Sequence, residues 1–249
     1  MLLFVYILKN SQGEHTMADK TIKYEDLDLS EMVIMPDFKK VRSSFRHYIL
    51  GKAEADSRYY DVLRMMELTE KYHNGQRKNG EPEVCHQYVI CAYLMTIEAY
   101  LIDPVACYMA ALGHDLIEDY PESEDEVSEM FPTYIGYMIT LSKERNGVAL
   151  PYQEYFDKMT LCAVCSICKL CDRLHNISTM VEPFAREKQI SYLKDLTDWF
   201  LPMLKESKRL FPEQTKAYEN LKFVLMTCRN LLLLTFMKEE KEINSLKKK

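Results

Sequence analysis

The chain has 249 residues, a formal net charge of −6 at pH 7, 47% hydrophobic and 28% charged residues, and only seven glycines and nine prolines. This length suits one globular domain whose core is large enough to surround a site, and it leaves little room for a second catalytic domain. The scarcity of Gly and Pro argues against disorder and against a turn-rich β-barrel, so an all-α fold is expected, and the acidic charge excludes a general basic field for nucleic acid polymers.

The first 50 residues are predicted to be a leader, with a helix expected only near residues 36–46. Residues 1–8 are apolar, but the run lacks a basic n-region and is too short to cross a bilayer, so we expect neither a signal peptide nor a membrane anchor. Met17 is a second plausible start, and residues 1–16 are interpreted as an upstream-start extension. A cytoplasmic protein with reduced cysteines is therefore expected.

Helical periodicity begins after the leader. Apolar residues recur near the helical period over 57–73, where Asp56 or Ser57 can serve as the cap. The following stretch NGQRKNGEP contains two glycines, two asparagines and a proline, which favour turns. A second helix is expected over about 84–101. A third is expected over about 103–120, with Asp103 as its N-cap and a proline at its first helical position.

The remainder of the chain is also predicted to be helical. Ser123 is expected to cap a short helix in an acidic stretch. Further helices are expected over about 132–144, 152–178, 187–209 and 212–240. The stretch LLLLTF near residue 231 is interpreted as the buried side of the closing helix, with a homo-oligomer interface as the alternative. The predicted domain covers residues 51–240, and residues 241–249 are predicted to be a charged tail that frays.

An imidazole and three carboxylates are crowded on the predicted third helix. At spacings of one, three and four positions they would share one broad helical face. This crowding on an otherwise apolar helix is unfavourable unless the charges are solvated, protonated or neutralised by a metal, and His and Asp suit divalent Mn, Fe or Zn. Two residues elsewhere, His86 and Asp172, can complete such a site. The four side chains on the helix are those of His114, Asp115, Glu118 and Asp119.

Three motifs in this order, GQRKNGEPEVCH, HDLIED and KLCDRLHN, resemble the hydrolase domain of the Rel/Spo alarmone synthetase-hydrolases and the small alarmone hydrolases. The resemblance spans about residues 57–185. It implies a helical bundle of the HD-domain type that removes the 3'-pyrophosphate from guanosine tetra- and pentaphosphate, the nucleotides of the stringent response. The implied partner is this nucleotide substrate, and neither a nucleic acid polymer nor a membrane is expected.

The resemblance also implies a role for each matched position. The metal ligands, around a manganese ion, would be His86, His114, Asp115 and Asp172. The acids that orient or activate the attacking water would be Glu118 and Asp119. The nucleotide would be bound by Arg77, Lys78, Asn176 and Thr179, with the arginine packing against the guanine base.

Four positions depart from the family pattern, and they leave the choice of base open. Glu83 and Gln87 replace a usual Tyr and Pro, while Glu182 and Ala185 replace apolar residues of the base pocket. One alternative is therefore an HD nucleotidase or phosphodiesterase that acts on an adenosine alarmone or a deoxynucleotide. Another is a nucleotide-binding regulator with weak turnover, although retention of both catalytic acids argues against it.

Several other residues have two interpretations. The run CAVCSICKLC has the spacing of iron–sulfur proteins, but it lacks Gly and Pro and leads directly into a predicted helix, so buried apolar packing of the cysteines is favoured. Lys169 and Arg173 can bind phosphate or pair with acidic neighbours, and the structural role is favoured. His73 and His175 are predicted to be hydrogen-bonded structural residues rather than ligands.

Overall fold

A computed structural model describes residues 37–77, 80–145, 147–181 and 183–246. The predictions for residues 1–36, which include the upstream-start extension and the absence of a signal peptide, lie outside the described residues. Lys78 and Glu182 also lie outside them.

The described chain is helical, with one two-stranded hairpin, so the all-α prediction is confirmed. The helices are α1 (Phe38–Ala53), α2 (Tyr59–Tyr72), α3 (Cys85–Ile97), α4 (Pro104–Gly113), α5 (Leu116–Asp119), α6 (Glu124–Met130), α7 (Ile135–Leu141), α8 (Tyr152–Thr160), α9 (Ala163–Thr179), α10 (Arg186–Asp195), α11 (Leu201–Leu210) and α12 (Thr215–Leu246). Short 3₁₀ turns cover Glu98–Tyr100, Pro121–Ser123 and Pro212–Gln214, and a π-helical turn covers Leu196–Phe200. Strands β1 (Glu144–Arg145) and β2 (Val148–Ala149) pair antiparallel around Gly147, whose positive φ of 74° suits a glycine.

Helices α4 and α9 form the centre of the bundle. Every residue of α4 after Pro104 is buried, as expected for a helix that is apolar on all sides, and α4 packs against α2, α3 and α9. The last residue of α4, Gly113, permits this close packing, because a Cβ there would come within 2.5 Å of the terminal methyl carbons of Met65 and Met138. The chain therefore delivers residue 114 deep inside the protein.

Helix α1 joins the same core although it begins inside the predicted leader. Its side chains Phe45 and Ile49 are fully buried, and Lys52 forms an ion pair with the buried Glu98 at 2.7 Å. Residues 37 onward belong to one compact unit. The helix thus spans the domain boundary predicted at residue 50, while the domain division itself stays a prediction.

Two of the predicted helices are interrupted, so the prediction that each is continuous is wrong. The helix expected over 103–120 ends at Gly113 and resumes at Leu116. The helix expected over 152–178 breaks at Leu161 and Cys162, where an extended residue lets α8 fold back against α9. In both places packing against the bundle outweighs the local preference for an unbroken helix.

The predicted caps have different outcomes. Asp103 accepts a hydrogen bond from the N–H of Ala106 at 3.2 Å and Pro104 occupies the first helical position, as predicted. Ser123 does not cap α6, because its hydroxyl donates instead to the carbonyl of Leu116. Helix α2 also lacks a side-chain cap: Asp56 accepts from the N–H of residue 58, just before the helix begins.

The closing helix α12 corrects two predictions. The predicted fraying tail is helical up to Leu246. The stretch LLLLTF is not a buried side, since Leu231 and Leu234 are each 61% exposed and Phe236 alone in it is buried. The physical reason is that residues 240–246 are all exposed, so the helix extends beyond the bundle and contacts it along one stripe.

By length and composition, residues Pro212–Leu246 form a helix that can cross a membrane, and 11% of its most apolar window is buried. A core helix of a soluble protein passes the same test, but it is mostly buried, which this window is not. Two statements therefore stay predictions: that the protein has no membrane partner, and that it can form a homo-oligomer.

Candidate metal centre and adjoining pocket

Four predicted ligands, contributed by three separate parts of the chain, meet at one buried point. His86 lies in the first turn of α3, Asp172 in the middle of α9, and His114 and Asp115 in the break between α4 and α5. The Nε2 atom of His86 lies 3.1 Å from Asp172 Oδ1 and 3.3 Å from His114 Nε2. The Nε2 atom of His114 lies 2.9 Å from Asp115 Oδ2 and 3.9 Å from Asp172 Oδ1.

The break after α4 explains how two consecutive residues face one point. On a regular helix neighbouring side chains diverge by about 100°. The interruption at residues 114 and 115 instead brings the His114 ring and the Asp115 carboxylate into contact. His114, Asp115, Glu118 and Asp119 therefore do not lie on one unbroken helix, and their sharing of one face stays a prediction, although the first two do converge.

This donor set fits a divalent cation. One ligand atom each from His86, His114 and Asp115 lie within 4.8 Å of one another, and a carboxylate oxygen of Asp172 is close to both imidazoles. Imidazole nitrogens and carboxylate oxygens are ligands for borderline and hard cations. His86 is 4% exposed and His114 is 1% exposed. Burying such a cluster of polar groups costs free energy unless an opposite charge compensates it.

The second nitrogen of each imidazole has a partner of its own. His114 Nδ1 lies 2.9 Å from the carbonyl oxygen of Ala111, so it carries the proton and leaves Nε2 directed at the site. His86 Nδ1 lies 2.6 Å from His175 Nδ1. The prediction that His175 is a hydrogen-bonded residue is confirmed, and its partner is a candidate ligand, which the sequence did not reveal.

Asp172 is held by its own helix. Lys169 Nζ lies 2.9 Å from Asp172 Oδ2, and the side-chain amide of Asn176 donates to Asp172 Oδ1 at 2.5 Å. The predicted acidic pairing of Lys169 is thereby confirmed. Arg173 instead lies between the rings of Tyr192 and Phe200, at 4.4 and 4.1 Å from their centroids, which also supports a structural role.

Burial and charge act in opposite directions on these groups. Burial lowers the pKa of His114, but the carboxylates of Asp115 and Asp172 outweigh it and raise that pKa to about 9. Burial lowers the pKa of His86 below its usual value. Burial would raise the pKa of the Asp115 carboxyl, yet the neighbouring His114 holds it below the usual range. Without a cation, the centre therefore keeps a protonated His114 beside ionised carboxylates.

The two predicted catalytic acids lie just beyond this centre, on α5. Glu118 is half-buried, and its carboxylate accepts a hydrogen bond from the backbone N–H of Lys143 at 2.7 Å. Asp119 lies at the exposed rim. Desolvation of its carboxyl, together with the charges of Asp115, Glu118 and Glu83, raises the pKa of Asp119 to about 6. A carboxyl with this pKa can exchange a proton near neutral pH.

A cavity of about 240 Å³ adjoins the centre. Three of the predicted substrate-binding residues line it, namely Arg77, Asn176 and Thr179. Sequence reasoning missed the other lining residues: Met180, Pro183, Phe184 and Lys188. For Phe184 and Lys188 the sequence did contain a signal, an aromatic residue four positions before a lysine at the start of α10. In the structure the Lys188 Nζ lies 4.2 Å from the centroid of the Phe184 ring.

The cysteine run is helical, as predicted. Cys165, Cys168 and Cys171 are buried, and Cys162 is half-buried. Among the described residues, no three cysteine sulfurs lie close enough together to hold a metal ion, which favours apolar packing over an iron–sulfur site. His73 contacts the carbonyl of Thr69 through Nδ1, but its buried Nε2 has no partner among the described residues, so its predicted structural role is only half satisfied.

No protein-family model matches the chain. The chain is 30% identical over 146 residues to a protein named GTP pyrophosphokinase from Myxococcus xanthus. The match covers 53% of this chain and 19% of that protein, so this chain spans about a fifth of the relative's length. The likeness is partial.

Proposed function

We propose that the protein is a metal-dependent hydrolase that removes the 3'-pyrophosphate from guanosine tetra- or pentaphosphate. The observation that carries the proposal is the link between pocket and centre: Asn176 lines the cavity and also donates a hydrogen bond to Asp172. We infer that a nucleotide seated in the cavity would have its phosphates beside the candidate ligands. The similarity to a GTP pyrophosphokinase supports a guanosine nucleotide as the substrate.

The chemistry needs a compensating charge and a proton acceptor. A divalent cation held by His86, His114, Asp115 and Asp172, manganese in this proposal, would lower the pKa of water and offset the phosphate charge. Asp119 accepts a proton from the water that attacks the phosphorus on the 3'-oxygen. The bond between this phosphorus and the 3'-oxygen breaks, the 3'-oxygen takes up a proton, and pyrophosphate leaves. The Glu118 carboxylate accepts a hydrogen bond from the Lys143 N–H. This bond holds α5 against the hairpin and so positions Asp119.

The cavity supplies both cationic and aromatic groups for the nucleotide. Arg77 and Lys188 bring positive charge, and the Phe184 ring offers an apolar surface. The arginine is proposed to pack against the base, as a guanidinium readily stacks on a planar ring. Thr179 and Asn176 add polar side chains on the wall formed by α9.

A second candidate function comes from the relative's name. A pyrophosphokinase would transfer pyrophosphate to GTP instead of removing it, and the match covers about half of this chain. Hydrolysis of an adenosine alarmone or a deoxynucleotide is a further alternative, because the base-pocket position at Ala185 departs from the family pattern.

The test is a nucleotide panel incubated with the full-length protein and Mn²⁺, with products resolved by ion exchange. We expect guanosine tetraphosphate to yield GDP and pyrophosphate. Asp119→Asn should lower kcat by about 10²- to 10⁴-fold, and Arg77→Ala should raise KM. The matched control is Asp125→Asn, which changes an exposed carboxylate on α6. Intact guanosine tetraphosphate, together with pyrophosphorylated product from GTP and ATP, would establish the transferase instead.

A further inference from the structure

Cys162 and Cys165 lie side by side across the first turn of α9. Cys162 is the N-cap residue, with an extended backbone (φ −123°, ψ 115°), and its sulfur accepts a hydrogen bond from the N–H of Cys165 at 3.4 Å. An N-cap side chain and the residue three positions later occupy the same side of a helix. The cap that starts α9 is therefore a thiol rather than a hydroxyl or carboxylate, and the backbone N–H of a second cysteine is its donor.

The two thiols differ in exposure. Cys162 is half-buried and follows Leu161, which is 71% exposed, so solvent and small solutes approach it from the turn between α8 and α9. Cys165 is fully buried, and its thiol also lies 3.7 Å from the carbonyl oxygen of Tyr137. Cys162 is thus partly exposed to solvent, whereas Cys165 is not.

The surroundings favour the thiolate at Cys162. Contact with the Cys165 side chain, helped by the N–H groups of Cys165 and Val164, lowers the pKa of Cys162 to about 6 against an opposing effect of burial. The same contact, together with burial, raises the pKa of Cys165. The titratable groups on the packed helices that face this pair are Tyr137, Cys107 and Asp103.

We propose that Cys162 and Cys165 form an oxidation site, in which Cys162 is the attacking thiolate, Cys165 is the resolving thiol and a hydroperoxide is the oxidant. The Cys162 sulfur attacks one peroxide oxygen, the O–O bond breaks, and the departing oxygen takes a proton and leaves as water or an alcohol. The resulting sulfenic acid is attacked by the Cys165 sulfur, which loses its proton. A disulfide forms, and the sulfenic oxygen leaves as water.

The other cysteines differ in the properties that this chemistry needs. Cys168 and Cys171 continue the run, but both are buried and burial raises their pKa values. Cys228 on α12 is half-buried like Cys162, yet burial raises its pKa as well. Cys228 is therefore a matched control for exposure. The two residues of the oxidation site lie about 10 and 15 Å along α9 from Asp172, so the site is tested without metal or nucleotide.

The experiment treats the full-length protein with a small excess of hydrogen peroxide in a chelating buffer, and then blocks the remaining thiols under denaturing conditions for peptide mass spectrometry. We expect the peptide that contains Cys162, Cys165 and Cys168 to lose two hydrogens. Cys168→Ser should retain this disulfide. Cys165→Ser should lose it and accumulate a sulfenic acid at residue 162 that a dimedone probe captures. Cys228→Ser should behave as the unchanged protein.

A second measurement needs no variant. The rate of iodoacetamide labelling at Cys162 should rise through a midpoint near pH 6, whereas labelling at Cys228 should rise only in more alkaline solution. Equal oxidation rates at these two residues would overturn the proposal. So would a peroxide-induced disulfide that forms as readily in Cys162→Ser, or labelling of Cys162 that begins only in alkaline solution.

Discussion

The Nδ1 atoms of His86 and His175 lie 2.6 Å apart, so one imidazole donates a hydrogen bond and the other accepts it. Burial, together with the charges of His86 and Arg77, lowers the pKa of His175 to about 2, so this ring is neutral at physiological pH. When His86 carries its proton on Nδ1, its Nε2 presents a lone pair toward His114 and Asp172. We expect His175 to accept this hydrogen bond and so to act as a positioning residue that selects the tautomer needed for metal binding.

Replacing His175 should weaken metal binding while the fold is retained. We expect His175→Phe to lower the affinity for Mn²⁺ by about 10- to 100-fold, because the acceptor for His86 Nδ1 is lost. Isothermal titration calorimetry measures the affinity, and circular dichroism checks the fold. His47→Phe, which changes an exposed imidazole on α1, is the control. Equal affinities for the two variants would exclude this role for His175.

Metal binding at neutral pH should release a proton from His114. The raised pKa of about 9 means that this imidazole is protonated at pH 7 in the metal-free protein, and a ligand must lose that proton. The apparent affinity should therefore increase as the pH rises from 7 toward 9. Calorimetric titrations in buffers of different ionisation enthalpy measure the released proton. A binding enthalpy that does not depend on the buffer would contradict the prediction.

Asp119 should make the metal-free protein less stable as the pH rises. Its pKa moves from 3.8 in an unfolded chain to about 6 in the folded one, so the folded state binds more protons between these values. The free energy of unfolding due to this group therefore decreases as the pH rises through that window. Asp119→Asn removes this pH-dependent decrease. The free energy of unfolding of the variant, relative to that of the unchanged protein, should therefore increase with pH.

Urea unfolding across that window, in the presence of a chelator, measures the difference in unfolding free energy. Asp125→Asn, an exposed carboxylate on α6, is the control. A constant difference between Asp119→Asn and the unchanged protein across the window would show that the carboxyl titrates normally.

Glu98 should be a major contributor to stability. Its buried carboxylate pairs with Lys52 on α1 at 2.7 Å and accepts hydrogen bonds from Tyr48 at 2.8 Å and Tyr108 at 2.5 Å. Glu98→Ala should lower the free energy of unfolding by about 3 kcal/mol, because these partners lose a charged acceptor. Urea unfolding is the measurement, with the exposed Glu240→Ala as control. Similar values for both variants would mean that α1 is not anchored through this carboxylate.

The pattern of apolar residues was sufficient to predict the helical class and the approximate position of most helices, because amphipathic periodicity is a local property. The turn around residues 74–82 was likewise predictable from its Gly, Asn and Pro content. The helix break at His114 and Asp115 was not, since the local sequence HDLIED is compatible with an unbroken helix. The break lies where the buried end of α4 meets His86, a contact between residues 28 positions apart in the sequence.

The sequence by itself determined which residue types can form a metal centre, since His86, His114, Asp115 and Asp172 are donors wherever the chain places them. Only the tertiary structure decided that these donors converge from three parts of the chain, because contacts between distant residues depend on packing. Packing also brought Phe184 and Lys188 to the cavity beside Asn176, and left Leu231 exposed where α12 extends beyond the bundle. Local periodicity shows which side of a helix is apolar, but it does not show how much of that side the neighbouring helices cover.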